Sequence, residues 1–444
     1  MAKIILRTGK IIVKFIIPLI ILSLICYSAY LLTFAKASLP DSNTVLSPNR
    51  PRWKELENQR DKNTRIWEIT KQIEKKNPIT NEVNLVEVKS KVIEKGCGIC
   101  YKDSNNQWQI TDTSWRQTEN GFVMDKSNYA LEIGQTANSI LKYTVDSDIL
   151  NLKANCIKIS DGLNERILAT INDTMCHIDP NNKNKLIYPD AFGKGIDLEF
   201  EAEPDGFHQN VIFKERPILP EGFSLECTEI KLYTEINSES YPNLKSKTKS
   251  KNDIEFITTK NGKTCINNIF TRSKIFQNTD GHLQNFIDAD KQIQEEGGKT
   301  FLIESAEFSK LHNGNYPIIW DYHPVNGMIT TNEIWYADAT YYVSSSILVT
   351  NGGSIKIEPD AVIKMAQDTE FTALTDGTII AKGKPYNYIT FTSEYDSEIG
   401  EFIQSGTPYP SDWAGICINE RSDIIKFCRV KYAEKGIQYH SETS

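Results

Sequence analysis

With 444 residues the chain is long enough for two or three domains of ordinary size, and its 39% hydrophobic content can supply their cores. A net charge of −8 carries no basic excess, which argues against a nucleic-acid partner. Nineteen Tyr, eighteen Phe and seven Trp favour strands over helices, because planar side chains pack well on a pleated surface.

The N-terminus opens with Lys3, Arg7, Lys10 and Lys14 and no acidic residue, followed by an apolar stretch over residues 15–34. Ala35-Lys36-Ala37 comes next, the small-x-small pattern that signal peptidase cuts. Residues 1–37 therefore read as a signal peptide cleaved after Ala37, or as an anchor in which residues 15–34 span the membrane if uncut. Basic residues precede the apolar stretch, so the long C-terminal part is the exported one, destined for the cell envelope, the extracellular surface or secretion.

Residues 38–80 turn polar and charged. Trp53, Ile66, Ile69 and Ile73 fall near helical spacing, Pro51 suits a first turn and Asn77-Pro78 a stop, which predicts a charged helical spacer. Residues 81–236 change to short alternating runs such as 83–88 and 140–145. Pro204-Asp205-Gly206 is placed as a hairpin turn between apolar runs, predicting a β-rich, sandwich-like N-terminal domain. Residues 237–252 are a Ser/Lys/Asn-rich linker. Residues 253–336 read as a mixed connecting module with one helix near 283–296.

The last segment, 337–444, repeats. Gly353 leads a strand, a tight turn and the apolar-polar-apolar run Val362-Ile363-Lys364-Met365; 24 residues on, Gly377 leads the same order, ending in Ile389-Thr390-Phe391-Thr392. Trp413 to Tyr432 gives a third pass. Short strands repeating at this period mean a solenoid, because one coil cannot bury its apolar face alone and has to stack. Ile355, Ile357, Ile363, Met365, Ile389 and Phe391 are expected inside, with Lys356, Lys364, Thr390 and Lys426 outside.

These residues resemble right-handed parallel β-helix proteins of the pectate-lyase-like, exported bacterial kind. Residues 354–365 (SIKIEPDAVIKM) look like that family's entry coil, with Asp360 where Gly is usual. Residues 377–393 and Asp412-Trp413-Ala414-Gly415-Ile416 look like the next two coils, and Tyr188-Pro189-Asp190-Ala191-Phe192-Gly193 and the words around Trp335 are similar to the family's N-terminal regions. The resemblance implies a mainly β chain, an N-terminal sandwich-like domain followed by the first coils of a right-handed parallel β-helix. Family helices run for many coils to a cap, so a stack stopping near Ser444 is expected to be truncated.

The candidate chemistry is sparse. Cys97-Gly98-Ile99-Cys100 is the one Cys-x-x-Cys; it lacks a second pair for zinc, carries Tyr101 where haem attachment needs His, and sits in β-like sequence, which leaves a structural disulfide between Cys97 and Cys100 or plain thiols. Eight cysteines follow the apolar segment, which holds Cys26, and their pairing is not readable from sequence. Cys176-His177, with Cys156, would point to opposite faces of a strand. Asp190, Asp197 and Asp205 cluster near the hairpin and Asp321 lies close to His312 and His323; metal or acid–base work there needs a convergence that spacing does not show, and Asp beside Gly and Pro is ordinarily turn chemistry. No catalytic, cofactor or metal residue is assigned, and the outward lysines carry no acidic ladder of the kind calcium-dependent polysaccharide lyases display. The expected role is a structural or adhesive surface protein binding glycans or surface proteins. The alternatives are a carbohydrate-active enzyme whose active coils lie outside this chain and a fragment without function.

Overall fold

The computed structural model describes residues 51–237 and 254–439, apart from 261–262, 272, 280–281, 323, 326–327, 375 and 419–421. The expected signal or anchor segment with Ala35 and Ala37, Cys26, His323 and most of the 237–252 linker lie outside the described residues. Among the described residues, no helix is long and apolar enough to cross a membrane. The fold is mainly β, with both parallel and antiparallel sheets.

Within the expected helical spacer of residues 38–80, the described residues form strands instead, while the strand at 83–95 falls where alternating β-runs were expected. Arg52–Glu55 pairs antiparallel with Thr64–Lys76, which pairs along its whole length with Val83–Lys95 in a long hairpin arm. The spacing misled because Ile66, Ile69 and Ile73 satisfy a helical face, whereas burial follows alternation: Trp67 and Ile69 are inside and Glu68 between them is not. Asn77-Pro78, read as a helix stop, makes the hairpin turn instead. The Asn77 side chain accepts from the N–H groups of Ile79 (2.9 Å) and Thr80 (3.3 Å). At its base the arm is locked by Arg65, which donates to Glu55 (2.9 Å) and Glu94 (2.8 Å).

The second body is a β-sandwich. One antiparallel sheet is built on Asp148–Ser160, Glu229–Asn237 and Lys299–Glu307, extended by Leu141–Val145 and shorter strands. The other is built on Lys185–Tyr188, Ile196–Glu203, Gly206–Phe213, Ile318–Tyr322 and Ser273–Thr279. The strand His282–Glu296 belongs to both, pairing with Ser273–Thr279 through its first half and Lys299–Glu307 through its second. Pro204 and Asp205 form the predicted hairpin turn, with Glu203 opposite Gly206. The inner faces share a core in which Tyr143 meets Phe207 edge-on at 5.2 Å and Leu232, Leu302 and Trp320 are fully buried. Each such aliphatic side chain contributes about 2 kcal/mol of transfer free energy. Residues 254–325 are thus part of the sandwich, not a separate connecting module. The helix expected near 283–296 is a strand; Ala289 and Ile293, four apart, fit either period, and only the flanking strands decide.

The C-terminal body is a stack of four coils, each giving one strand to each of three parallel sheets. The first coil contributes Asn332–Trp335, Thr340–Val343 and Ile347–Val349; the second Ser354–Ile357, Val362–Met365 and Glu370–Ala373. The third contributes Thr378–Lys382, Ile389–Ser393 and Gly415–Ile418, and the fourth Ile424–Lys426, Cys428–Val430 and Ile437–Tyr439. Ile355, Ile357, Ile363, Met365, Ile389 and Phe391 are all inside as expected, with Trp335 stacked on Tyr341 at 4.7 Å in the first coil. Gly377 is required by closeness between coils: a methyl group there would lie 2.0 Å from the Val349 carbonyl oxygen. The arm ends the stack, because Val92 to Lys95 pair in parallel with Thr340–Val343.

Candidate functional site

The three outer faces of the stack have different surroundings. The face of Ile347–Val349 and Glu370–Ala373 meets the sandwich through a buried cluster of Ile269, Met328, Leu348 and Leu374. The face of Thr340–Val343, Val362–Met365 and Ile389–Ser393 is covered by the arm and by the connection 394–412, with Trp67, Ile69, Val92, Tyr342 and Ile403 in one cluster. The third face, of Asn332–Trp335, Ser354–Ile357, Thr378–Lys382 and Ile424–Lys426, lies open.

Under the 394–412 connection runs a polar ladder. In-register pairing sets Glu94, Tyr342, Lys364 and Thr392 side by side on successive strands. Lys364 and Thr390 point outward as expected but are buried rather than exposed, because the connection lies over them. Lys364 Nζ donates to the Asp396 carbonyl (2.7 Å), while the Asp396 carboxylate accepts from Thr392 Oγ1 (2.6 Å) and Lys431 Nζ (2.7 Å). Tyr342 donates to Glu394 (2.9 Å), and Lys71 of the arm pairs with Glu401 (2.9 Å). Burial pushes the Lys364 ammonium down to about 8 against the pull of Asp396 and Glu401. Burial also raises the Glu394 carboxyl, opposed by the hydrogen bonds from Tyr342 and the Gln367 N–H. An amine whose affinity for its proton is weakened, beside a phenol and carboxylates, is an acid–base set, yet both Lys364 and Tyr342 donate to the connection itself. It acts as a clasp.

A sequence reading limited to the repeat sees the outward lysines and misses the acids, since Glu394, Asp396 and Glu401 come from an insertion between coils. Cys97 and Cys100 are free, buried thiols in this structure, Cys97 within the coil core. Burial lifts both to about 12, which leaves them protonated and unreactive at neutral pH. Their loop joins the two bodies: Ser345 Oγ donates to the Cys97 carbonyl (3.4 Å) and Asn128 Nδ2 to the Cys100 carbonyl (2.7 Å).

Cys176, His177 and Cys156 do not converge; Cys156 packs with Tyr233 and Phe301 on the outside of one sheet of the sandwich. Asp190 is a turn residue, and Asp197, on the strand Ile196–Glu203, accepts from the Asp190 N–H (2.8 Å) and pairs with Lys214 (2.7 Å). Asp321 pairs with His208, at 2.8 Å, on the strand paired with its own. Burial opposes charge on His208, but the Asp321 carboxylate outweighs it and holds the imidazole at about 9. Among the described residues no group of three or more His, Cys, Asp or Glu gathers as a metal site.

The open face carries Ile334, Lys356, Ile380 and Ile424 as one in-register outward column. Lys382 and Lys426 stand beside it, and Tyr336, Tyr386 and Phe427 are exposed at its margin. The chain is defined by this architecture as a mainly β protein of parallel and antiparallel sheets. Comparison with family models, curated proteins and solved structures finds no match to it.

Proposed function

We propose that the chain is an exported cell-surface protein whose stack is the opening of a right-handed parallel β-helix, serving as a structural or adhesive scaffold toward glycans or neighbouring surface proteins. The observation that carries this reading is the unequal use of the three outer faces: two are covered by the arm, the 394–412 connection and the sandwich, and one presents apolar and basic side chains to solvent. A flat sheet with aliphatic columns, lysines and marginal aromatics suits an extended polymer or a partner surface. Right-handedness follows from the strong preference of parallel crossover connections, and export from the basic-then-apolar N-terminus. The test is twofold. Protease added to intact cells should degrade the chain, and Ile380→Asp should weaken binding of the purified protein to cell-surface material without lowering its melting temperature. A chain protected inside the cell, or binding indifferent to Ile380→Asp, would sink the proposal.

The second reading, a carbohydrate-active enzyme, draws on the Tyr342, Lys364, Glu394 and Asp396 set beneath the connection. Turnover of a polyanionic glycan that is lost in Lys364→Met would favour it.

A further inference from the structure

We infer that the margin of the open face where residues 382–388 meet residues 426–429 is a binding site for acidic sugar chains, recognised through carboxylate or sulfate groups. The inference rests on the glycan-binding reading above and names its ligand chemistry. Lys382 and Lys426 are in-register partners on neighbouring parallel strands, both exposed, so their stems leave the sheet roughly 4.8 Å apart. Like charges in that relation repel. Neither lysine forms an ion pair among the described residues, and Glu358, one coil away on the same outward column, forms none with Lys382. Lys384, further along the turn, and Arg429, on the adjoining sheet, add two more exposed cations.

Aromatic rings flank these charges. Tyr386 is 94% exposed and Phe427 38%, and the two belong to turns of successive coils: the Ile389 N–H that closes the first turn donates to the Phe427 carbonyl (3.2 Å). Both hold left-handed backbone, φ 69° and 51°, which bulky residues rarely adopt. The Lys426 ammonium lies 5.3 Å from the Phe427 ring centre and the Arg429 guanidinium 4.5 Å from that of Tyr388. Cations beside exposed rings fit a pyranose polymer, whose C–H faces pack on aromatic faces while its acidic groups meet the ammoniums. The chain is acidic overall and only these four cations gather at this margin, so a nucleic acid, which needs a basic groove along many phosphates, fits less well.

The experiment titrates the full chain, in detergent, with a heparin oligosaccharide, an oligogalacturonate, a neutral glucan of equal length, a single-stranded DNA oligomer and inorganic sulfate, by calorimetry at low and high salt. The acidic oligosaccharides should bind and the neutral one not, with affinity falling as salt screens the contacts. The double variant Lys382→Glu, Lys426→Glu should lose about tenfold or more, as for two charge-assisted contacts, whereas Lys89→Glu on the arm should lose nothing. Tyr386→Ala removes a fully solvated ring and should weaken oligosaccharide binding while keeping the melting temperature. Equal binding of the neutral glucan, or an intact affinity in the double variant, overturns the acidic-sugar site and leaves the glycan reading standing. Inorganic sulfate bound as tightly as the oligosaccharides overturns the glycan reading and leaves an anion site. Tighter binding of DNA, or no binding by any probe, overturns the inference.

Discussion

Glu304 has no contact with water and faces the interior of the sandwich. One carboxyl oxygen accepts from Trp320 Nε1 at 3.2 Å across the two sheets, and the other has no hydrogen-bond partner among the described residues. Burial lifts this carboxyl to about 7, against the pull of Ser273 and Lys291. Its folded value therefore stands above the unfolded one of 4.5, so its contribution is present at low pH and is lost as pH rises through about 7. His208 acts in the same direction at higher pH: held at about 9 by Asp321, it contributes below its unfolded value of 6.5 and ceases to contribute as pH passes 9. The melting temperature of the sandwich should fall between pH 5 and pH 9.5, in two steps. Glu304→Gln, which cannot ionise, should remove the neutral step, worth roughly 2–3 kcal/mol, and keep the alkaline one. Melts that are flat across neutral pH in the native chain would contradict the protonated Glu304.

At the scale of elements, legibility followed repetition. The coils were readable because inward apolar residues recur with Gly353 and Gly377 at fixed offsets, and a local pattern is enough to specify a strand that pairs with its own repeat. The arm was legible only in part: residues 83–88 alternate as expected, but Ile66, Ile69 and Ile73 also satisfy a helical period, and the docking of Val92 to Lys95 on Thr340–Val343, far away in sequence, is carried by no local period. The clasp was unreadable for a related reason: Asp396 lies outside the repeat, and only the folded connection sets it over Lys364. This makes Asp396 the residue on which the connection depends. Asp396→Ala would leave Lys431, Thr392 and the Glu398 N–H without their shared acceptor, a loss of about 3 kcal/mol for a buried charged acceptor. Limited proteolysis should then cut within residues 394–412 well before the coils melt. A variant cleaved at the native rate would show that the connection is held by Ile403 and its apolar neighbours instead.

The described residues form the sandwich and the coil stack with its arm, and these two bodies meet at one face and at one loop. The arm ends the stack at its first coil, so the strand edges of Thr340–Val343 are paired and the coil interior is closed near Cys97. The sandwich covers a second face through Ile269, Met328, Leu348 and Leu374, a small apolar contact supplemented by the loop hydrogen bonds from Asn128 and Ser345. A contact of this size couples the bodies only while it stays dry. Leu348→Asp places a carboxylate against Ile269 on the sandwich side, at a cost of several kcal/mol if the faces remain closed. Separation is the cheaper outcome, since the coil interior and the sandwich interior are distinct clusters that share no side chain. Calorimetry of the native chain should therefore give one cooperative transition, and Leu348→Asp should split it into two whose order identifies the less stable body. If the substituted chain still melted in one transition, the Cys97 to Cys100 loop would be the stronger coupling, and Asn128→Ala in the same background should then produce the split.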